Sequence, residues 1–195
     1  MNEDIDGATP LDPDKLAGLK FKHVSTRSQL DELEQANIVK GLLWLKKNTA
    51  RDDVLTTHFA MDLHKALFKD VWTWAGTYRL TEKNIGIDPF TISVALKNLL
   101  DDLSAWIEFT TYPATEAVLR FHHQLVKIHP FPNGNGRFSR IYADIIAEKY
   151  FGIPTINWGG ENLDHMTKTR TDYINALRAA DAGDLSALFK LYGND

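Results

Sequence analysis

Apolar residues recur at helical spacing through most of the chain, and this pattern limits the folds open to it. In the first such segment they lie three to five residues apart, at Leu30, Leu33, Ile38, Leu42 and Leu45. Ser28 or Thr26 is a suitable N-cap for this segment. The same spacing predicts six further helices, at about 52–70, 90–109, 114–128, 135–150, 162–180 and 184–192. The sequence therefore predicts an all-α protein, with an N-terminal extension at 1–27 and a single helical domain at 28–195.

One segment breaks the helical pattern, between Trp74 and Phe90. It contains Gly76, Gly86 and Pro89, together with residue types that favour strands. Two interpretations are equally supported by composition, a short β-hairpin flap on a helical body and an ordinary interhelical loop. Loops of this length inside a compact domain are more often functional than idle.

Composition excludes several classes of function. The 195 residues carry a net charge of −4 and no cysteine, so disulfides, thiolate catalysis and cysteine–zinc sites are ruled out. The absence of a basic excess argues against a nucleic-acid partner. The sequence has no membrane-length apolar run, and its acidic start has no signal-peptide pattern. We therefore expect a cytoplasmic protein with no membrane partner.

The segment from 129 to 140, HPFPNGNGRFSR, is the part of the sequence that points most directly to chemistry. His129 is a candidate general base for an incoming hydroxyl. Gly134 and Gly136 allow close approach of a ligand, and a helix opening at Asn135 would aim backbone N–H groups at an anion. Two arginines, three residues apart on that helix, can each grip phosphate oxygens, namely Arg137 and Arg140. An oxyanion cradle beside a base predicts nucleotidyl or phosphoryl transfer.

These residues resemble the signature of the Fic/Doc family, His-x-Phe-x-(Asp/Glu)-Gly-Asn-(Gly/Lys)-Arg. The resemblance continues through FHHQL at 121–125 and WAGTYR at 74–79, and it covers about 30–192. In detail the chain is most similar to the small bacterial Fic proteins called mobile mystery protein B. That subtype suggests a small helix-turn-helix partner encoded nearby.

The resemblance implies a Fic-type helical domain that transfers AMP from ATP to a Ser, Thr or Tyr hydroxyl of a target protein. His129 would then be the catalytic base. The nucleotide would be bound by Gly134, Asn135 (side chain included), Gly136, Arg137 and Arg140. Target alignment by strand-like pairing would fall to a flap around 81–88, including Thr81, Glu82, Lys83, Asn84, Ile85 and Gly86.

Asn133 departs from the family pattern, because it stands where the carboxylate that orients magnesium is expected. An amide oxygen can bind Mg²⁺ but carries no charge. We expect Mg²⁺ to be held mostly by the phosphates of the nucleotide, with weakened metal binding. Reduced AMP transfer and a different donor or reaction both remain open.

Many Fic proteins are also inhibited by a helix with the pattern Ser/Thr-x-x-x-Glu-(Gly/Asn), whose glutamate pairs with the second arginine. Ser28 to Glu32 fits the first five positions, but Leu33 stands where Gly or Asn is expected. Glu34 is a rival candidate on the same helix. An ordinary acidic face on an exposed helix is the alternative, and the pattern favours it.

Two classes of function therefore remain. The first is an enzyme, with AMP transfer as the main activity and kinase or AMP-removing chemistry as variants within the family. The second is a nucleotide- or partner-binding module with little catalysis, in which Asn133 marks a lost metal site. Trp158, beyond the signature, is a candidate border of the adenine pocket. The target protein is not identifiable from these residues.

Overall fold

The computed structural model describes residues 18–21, 24, 27–48, 50–51, 53–159 and 168–193, and this part of the chain is all-α. A 3₁₀ turn at Pro89–Thr91 precedes the third α-helix, and a π-helical turn at Ala147–Phe151 follows the fifth. The α-helices are α1 (Arg27–Asn48), α2 (Thr57–Phe68), α3 (Ile92–Glu108), α4 (Ala114–Ile128), α5 (Asn135–Ile146), α6 (Lys168–Asp181) and α7 (Ser186–Tyr192).

The helix ends follow local chemistry. Thr56 caps α2, since its hydroxyl accepts a hydrogen bond from the Phe59 N–H at 3.1 Å. Pro113 directly precedes α4, and Pro130 stands just beyond its end. Ser28 lies inside α1 and is not its N-cap, because the helix already begins at Arg27; Thr26 lies outside the described residues.

The centre of the fold is α4, which packs against α3, α5 and the last two helices. Its buried face includes Val118, Phe121 and Leu125, none of which is exposed to solvent. On the other side α1 lies along α2, and Asn37 joins them by donating to the Ala66 carbonyl and accepting from the Asp70 N–H. This arrangement places α1, α2 and α5 around one loop, the turn between α4 and α5.

The flap segment contains no strand, so the predicted β-hairpin is wrong. Residues 77–88 form bends and extended backbone, and the carbonyls of Thr81 and Ile87 accept hydrogen bonds from the side chain of Arg79. Because a side chain takes these acceptors, they are not used in a cross-strand ladder. In the described ranges the β-type pairing is a single antiparallel bridge between Leu19 and Trp72.

That bridge lies in the part of the chain predicted as an N-terminal extension. The Lys20 N–H donates to the Val71 carbonyl at 3.0 Å, and the Thr73 N–H donates to the Gly18 carbonyl at 2.9 Å. Residues 18–20 therefore pair with the loop after α2. None of the helices in the described part of the chain is long and apolar enough to cross a membrane.

Candidate functional site

His129 lies at the C-terminal end of α4 in a left-handed backbone conformation, with φ 51° and ψ 61°. For a residue with a side chain this conformation costs about 1–2 kcal/mol. It ends the helix, because the Pro130 that follows has no N–H with which to continue it. The residue is 6% exposed, so the candidate base is almost enclosed by protein.

Phe131 points into the core and fixes the loop after His129. Its ring is fully buried and stacks on the imidazole of His64, with centroids 3.7 Å apart and planes 16° apart. Phe138 from α5 meets the same ring edge-on at 4.9 Å. The loop is therefore held by aromatic packing from two helices.

The side chain of Asn135 closes this loop and does not point to a ligand. Its Oδ1 accepts from the Phe131 N–H at 2.9 Å, and its Nδ2 donates to the Phe131 carbonyl at 2.7 Å. With the residue 2% exposed, the amide is occupied by the loop. The expected contact between this side chain and phosphate is therefore corrected; the contribution left to Asn135 is its backbone N–H.

His64 supports the same loop from α2. Its Nδ1 accepts from the Gly76 N–H at 3.0 Å, so Nε2 carries the proton and donates to the Asn133 carbonyl at 3.1 Å. Complete burial, with a smaller contribution from the nearby Arg137 guanidinium, lowers the pKa of His64 to about 3. The ring is therefore neutral at physiological pH and joins the segment before the flap to the loop.

Gly134 is the N-cap of α5 and has φ 76°. Helix α5 begins at the next residue, so the N–H groups of its first turn have no acceptor within the helix and face the space beside the loop. A Cβ atom on Gly134 would lie 2.5 Å from Cζ of Phe68, so only glycine fits here. Backbone donors at the positive end of a helix dipole are the groups that bind anions in other proteins, and this turn is called the nest below.

Arg137 projects from the first turn of α5 and is held by two neighbours. Its guanidinium carbon lies 5.0 Å from the centroid of the Phe68 ring, and Nη2 donates to Oε2 of Glu34 at 2.6 Å. Oε1 of Glu34 accepts from Nε1 of Trp72 at 2.7 Å, and Glu34 is 1% exposed. The buried carboxylate of Glu34, on α1, therefore forms an ion pair with Arg137, the first arginine of the nest.

The two glutamates proposed for an inhibitory role differ in position. Glu32 lies on the exposed face of α1, whereas Glu34 lies on the buried face. The expected pairing with the second arginine is corrected as well, because Glu34 contacts Arg137 and not Arg140 in the hydrogen bonds described.

Arg140 lies one helical turn beyond Arg137, at a cleft of about 560 Å³. Asp144 holds the far wall of this cleft, because its Oδ1 accepts from the Ile156 N–H at 3.1 Å and from Nε1 of Trp158 at 2.9 Å. Burial raises the pKa of Asp144 to about 6. The residues that line the cleft include Gln35, Ile38, Arg137, Arg140, Asp144 and Trp158.

His122 and Tyr173 form a buried pair near Arg140. Nε2 of His122 is 2.9 Å from the hydroxyl oxygen of Tyr173, and the His122 ring packs on Trp158 at 4.4 Å. Burial lowers the pKa of His122 to about 3, and the positive charge of Arg140 adds to this effect. His122 is therefore a neutral packing residue.

The described residues around this turn offer few charged side chains that could bind a metal ion. Within the described ranges there is no group of three or more His, Asp or Glu residues that could hold a metal ion. Asn133 is partly exposed and offers a neutral amide at the position that the resemblance assigns to a metal ligand. The residues present do not form a carboxylate site for Mg²⁺, which prefers carboxylate and phosphate oxygens.

The structure brings most of the sequence-predicted residues together. His129, Gly134, Gly136, Arg137 and Arg140 lie around one turn and the helix after it, and Gly86 of the flap adjoins His129. Sequence reasoning missed Arg79, whose side chain donates to backbone carbonyls of the α4 end and of the flap, and His64, which donates to the Asn133 carbonyl. The sequence feature that could have identified Arg79 is its position between Tyr78 and Leu80, directly before the flap.

Comparison with known proteins agrees with the resemblance. Residues 54–147 match the model of the Fic/DOC family. "Protein adenylyltransferase fic-1" of Caenorhabditis elegans is 31% identical over 115 residues, 57% of this chain and 21% of that protein. "Probable protein adenylyltransferase y4lH" of Sinorhizobium fredii is 24% identical over 174 residues, 85% of this chain and 84% of that protein. The chain thus spans about a fifth of the nematode protein and most of the rhizobial one.

Among solved structures, the BepC protein of Bartonella tribocorum with bound AMPPNP superposes with a TM-score of 0.65. The match has 18% sequence identity and covers 86% of each chain. At this identity the likeness shows a shared fold.

Proposed function

We propose that this protein is an adenylyltransferase that moves AMP from ATP to a Ser, Thr or Tyr hydroxyl of a target protein. The observation that carries the proposal is the turn between α4 and α5. It has an enclosed histidine on one side and a glycine-capped helix N-terminus with two arginines on the other. The two curated relatives named above carry the same activity in their names, which supports the proposal.

In the proposed reaction the target hydroxyl oxygen attacks the α-phosphorus of ATP and forms a new P–O bond. The bond between that phosphorus and the oxygen leading to the β-phosphorus breaks, and pyrophosphate leaves. The hydroxyl proton passes to the imidazole of His129, which acts as a general base. Atoms and charges balance without a redox partner.

The nest would bind the triphosphate. The N–H groups at Gly134, Asn135 and Gly136 would stabilise phosphate oxygens. Arg137 and Arg140 would add positive charge, whose interaction with the phosphates would strengthen as negative charge develops on the leaving pyrophosphate. The cleft beside Arg140 has room for further parts of the nucleotide, with Trp158 in its wall. Mg²⁺, when bound, would supply charge neutralisation at the phosphates, and Asn133 would contribute a neutral oxygen at most.

We also propose that Glu34 restrains the site. Its carboxylate is paired with Arg137, and triphosphate oxygens would have to compete with it for this guanidinium. The flap at 81–88 would align the target segment beside His129. A subtype of the mobile mystery protein B kind, with a small helix-turn-helix partner, is part of the same proposal.

A binding module with little catalysis is the second candidate, and two observations favour it. Asn133 provides no carboxylate for a metal, and Arg137 is already neutralised by a buried glutamate. Such a protein would bind a nucleotide or partner without turnover. Kinase chemistry at the same site would transfer the γ-phosphate of ATP to the target. AMP-removing chemistry would release AMP from it.

Incubation with ATP labelled at the α- or the γ-phosphate separates these candidates. AMP transfer puts the α-label on protein, in the chain itself or in added cell extract, and the signal is lost in His129→Ala. Transfer of γ-label would indicate a kinase. Nucleotide binding without transfer from either position would favour the module. The matched control is His58→Ala, at an exposed histidine on α2 whose Nε2 lies 3.5 Å from Oδ2 of Asp62.

A further inference from the structure

We propose that Arg79 is a positioning residue that holds His129 and the flap in one fixed relation, so that base and target segment are aligned by the same guanidinium. The inference rests on the proposed transfer function for its catalytic meaning. Its structural part stands on contacts within the described residues.

One side of Arg79 binds the end of α4. Its Nε donates to the His129 carbonyl at 2.7 Å, and Nη2 lies 3.4 Å from the Ile128 carbonyl oxygen. The backbone N–H of Arg79 donates to the Pro130 carbonyl at 3.0 Å. Three consecutive carbonyls are thus held, including those left without partners where the helix ends, and a cation at a helix C-terminus is favourable.

The other side of the same guanidinium binds both ends of the flap. Nη1 donates to the Thr81 carbonyl at 3.0 Å, and Nη2 donates to the Ile87 carbonyl. Residues 82–86 therefore form a loop whose two ends meet at one side chain. Since that side chain also holds the carbonyl of His129, a shift of the flap must displace the base or break a hydrogen bond.

Because Arg79 is buried, groups of the protein must stabilise its charge. Arg79 is 2% exposed, and its guanidinium donates to backbone carbonyls of the α4 end and of the flap. The charges of Asp88 and Glu82 add a favourable electrostatic interaction, whereas the planar fork of donors sets the positions of the carbonyls. Lysine has a single ammonium group and cannot span the same set of acceptors.

Gly86 allows the flap to approach closely. It has φ 108°, and a Cβ atom there would lie 2.6 Å from Nη2 of Arg79 and 2.8 Å from Cβ of His129. A side chain at this position would press on the guanidinium and on the base together. Gly86→Ala is therefore a second way to disturb the same connection while keeping the arginine.

The test compares Arg79→Lys and Gly86→Ala with Arg51→Lys. Arg51 also uses its fork, on Asp53 and Asp62, but lies outside the site. We expect both site variants to lose about a hundredfold in turnover of α-label transfer, the scale of a misplacement of roughly 1 Å. ATP affinity should stay within about twofold of wild type, because Arg137, Arg140 and the nest are unchanged. Arg51→Lys should retain both properties.

Two readouts do not depend on activity. Trypsin should cut after Lys83 at least about tenfold faster in the site variants than in Arg51→Lys, because the flap ends are released and local opening controls cleavage. The NMR signal of the His129 ring, assigned by its loss in His129→Ala, should shift in both site variants. Where Arg79→Lys does not fold, Gly86→Ala gives the same comparison.

Equal losses of turnover and ATP affinity, or unchanged cleavage and ring signal in both site variants, would overturn the positioning role. Absence of transfer in wild type would instead contradict the proposed function. In that case the cleavage and NMR results still decide whether Arg79 connects the flap to His129.

Discussion

At the scale of single residues, Arg137 shows how one side chain can serve both binding and restraint. Its ring contact with Phe68 and its ion pair with Glu34 hold the guanidinium at the entrance of the nest. The same guanidinium would be needed for phosphate. Nucleotide binding would therefore compete with an ion pair whose acidic partner is buried, and displacing Arg137 would leave that carboxylate without its counter-charge, which is costly.

Glu34→Gln tests this competition. The amide oxygen can still accept from Nε1 of Trp72, so the indole need not lose its partner, whereas the charge opposite Arg137 disappears. We expect ATP to bind roughly tenfold more tightly, as about 1.4 kcal/mol of competing ion pairing would give, and self-modification to increase. Isothermal titration and α-label transfer measure the two effects. Glu32→Gln, on the exposed face, is the control; an equal response in both variants would exclude a specific role for Glu34.

Asn133→Asp tests the weakened metal site. A carboxylate at this position supplies the charged oxygen that Mg²⁺ prefers. We expect Mg²⁺ to increase ATP affinity and α-label transfer more strongly in this variant than in wild type. Titrations of ATP with and without Mg²⁺ give the comparison. A variant that responds to Mg²⁺ no more than wild type would rule out metal assistance through residue 133.

At the scale of elements, α4 could be predicted from the sequence at both ends, whereas the flap could not. Prolines flank α4, so 114–128 was predicted with the bounds observed. The next helix was predicted to run to 150, but it passes into a π-helical turn at Ala147. The hairpin prediction was wrong because Arg79 takes the carbonyls at 81 and 87, and strand propensity gives no indication of such a contact.

Gly134→Ala tests the start of α5. The new Cβ would meet the Phe68 ring at 2.5–3.0 Å, in addition to the cost of φ 76°. We expect the loop to shift, ATP affinity to fall, and stability to drop by about 2–5 kcal/mol, the sum of left-handed strain and overpacking. Urea unfolding and ATP titration measure these losses.

Gly152→Ala is the matched control, because its φ is 63° and nothing lies within 4 Å of an added Cβ. It should show only the strain, about 1–2 kcal/mol, with ATP binding unchanged. Equal losses in both variants would mean that contact with Phe68 does not set the position of the nest.

At the scale of the whole molecule, the site residues that lie close together in the sequence could be predicted from it. Contacts between residues far apart in the sequence could not. His129, the glycines and both arginines lie within 129–140. Glu34 is 103 positions from Arg137, and His64 is 69 positions from Asn133. Periodicity identifies which face of a helix is buried but not which distant residue meets it. The rival glutamates therefore remained undecided until the fold was known.

Two buried neutral histidines make the stability of the molecule depend on pH. Burial lowers the pKa of His64 and of His122 to about 3 from an ordinary value of 6.5. Between these values the unfolded chain binds more protons than the folded one, so stability falls as pH decreases below 6.5, by up to about 1.4 kcal/mol per pH unit for each histidine. Asp144 acts oppositely, since burial raises its pKa to about 6, and it offsets one histidine between that value and 3.8.

Urea unfolding at pH 7.5 and pH 5 measures the balance, and we expect lower stability at pH 5. His122→Phe should reduce the difference, because one of the two titrating rings is gone. Stability that is constant or higher at pH 5 would contradict the buried neutral state of these histidines.

The most direct test of the central claim is intact-mass spectrometry after incubation with ATP and Mg²⁺. Wild type, Glu34→Gln, His129→Ala and Glu34→Gln combined with His129→Ala are compared. We predict an added mass of one AMP on the chain itself, more in Glu34→Gln than in wild type, and none in either protein that lacks His129. An AMP adduct that persists without His129, or that is absent from both wild type and Glu34→Gln, would contradict the assignment of this turn as an adenylyl-transfer site.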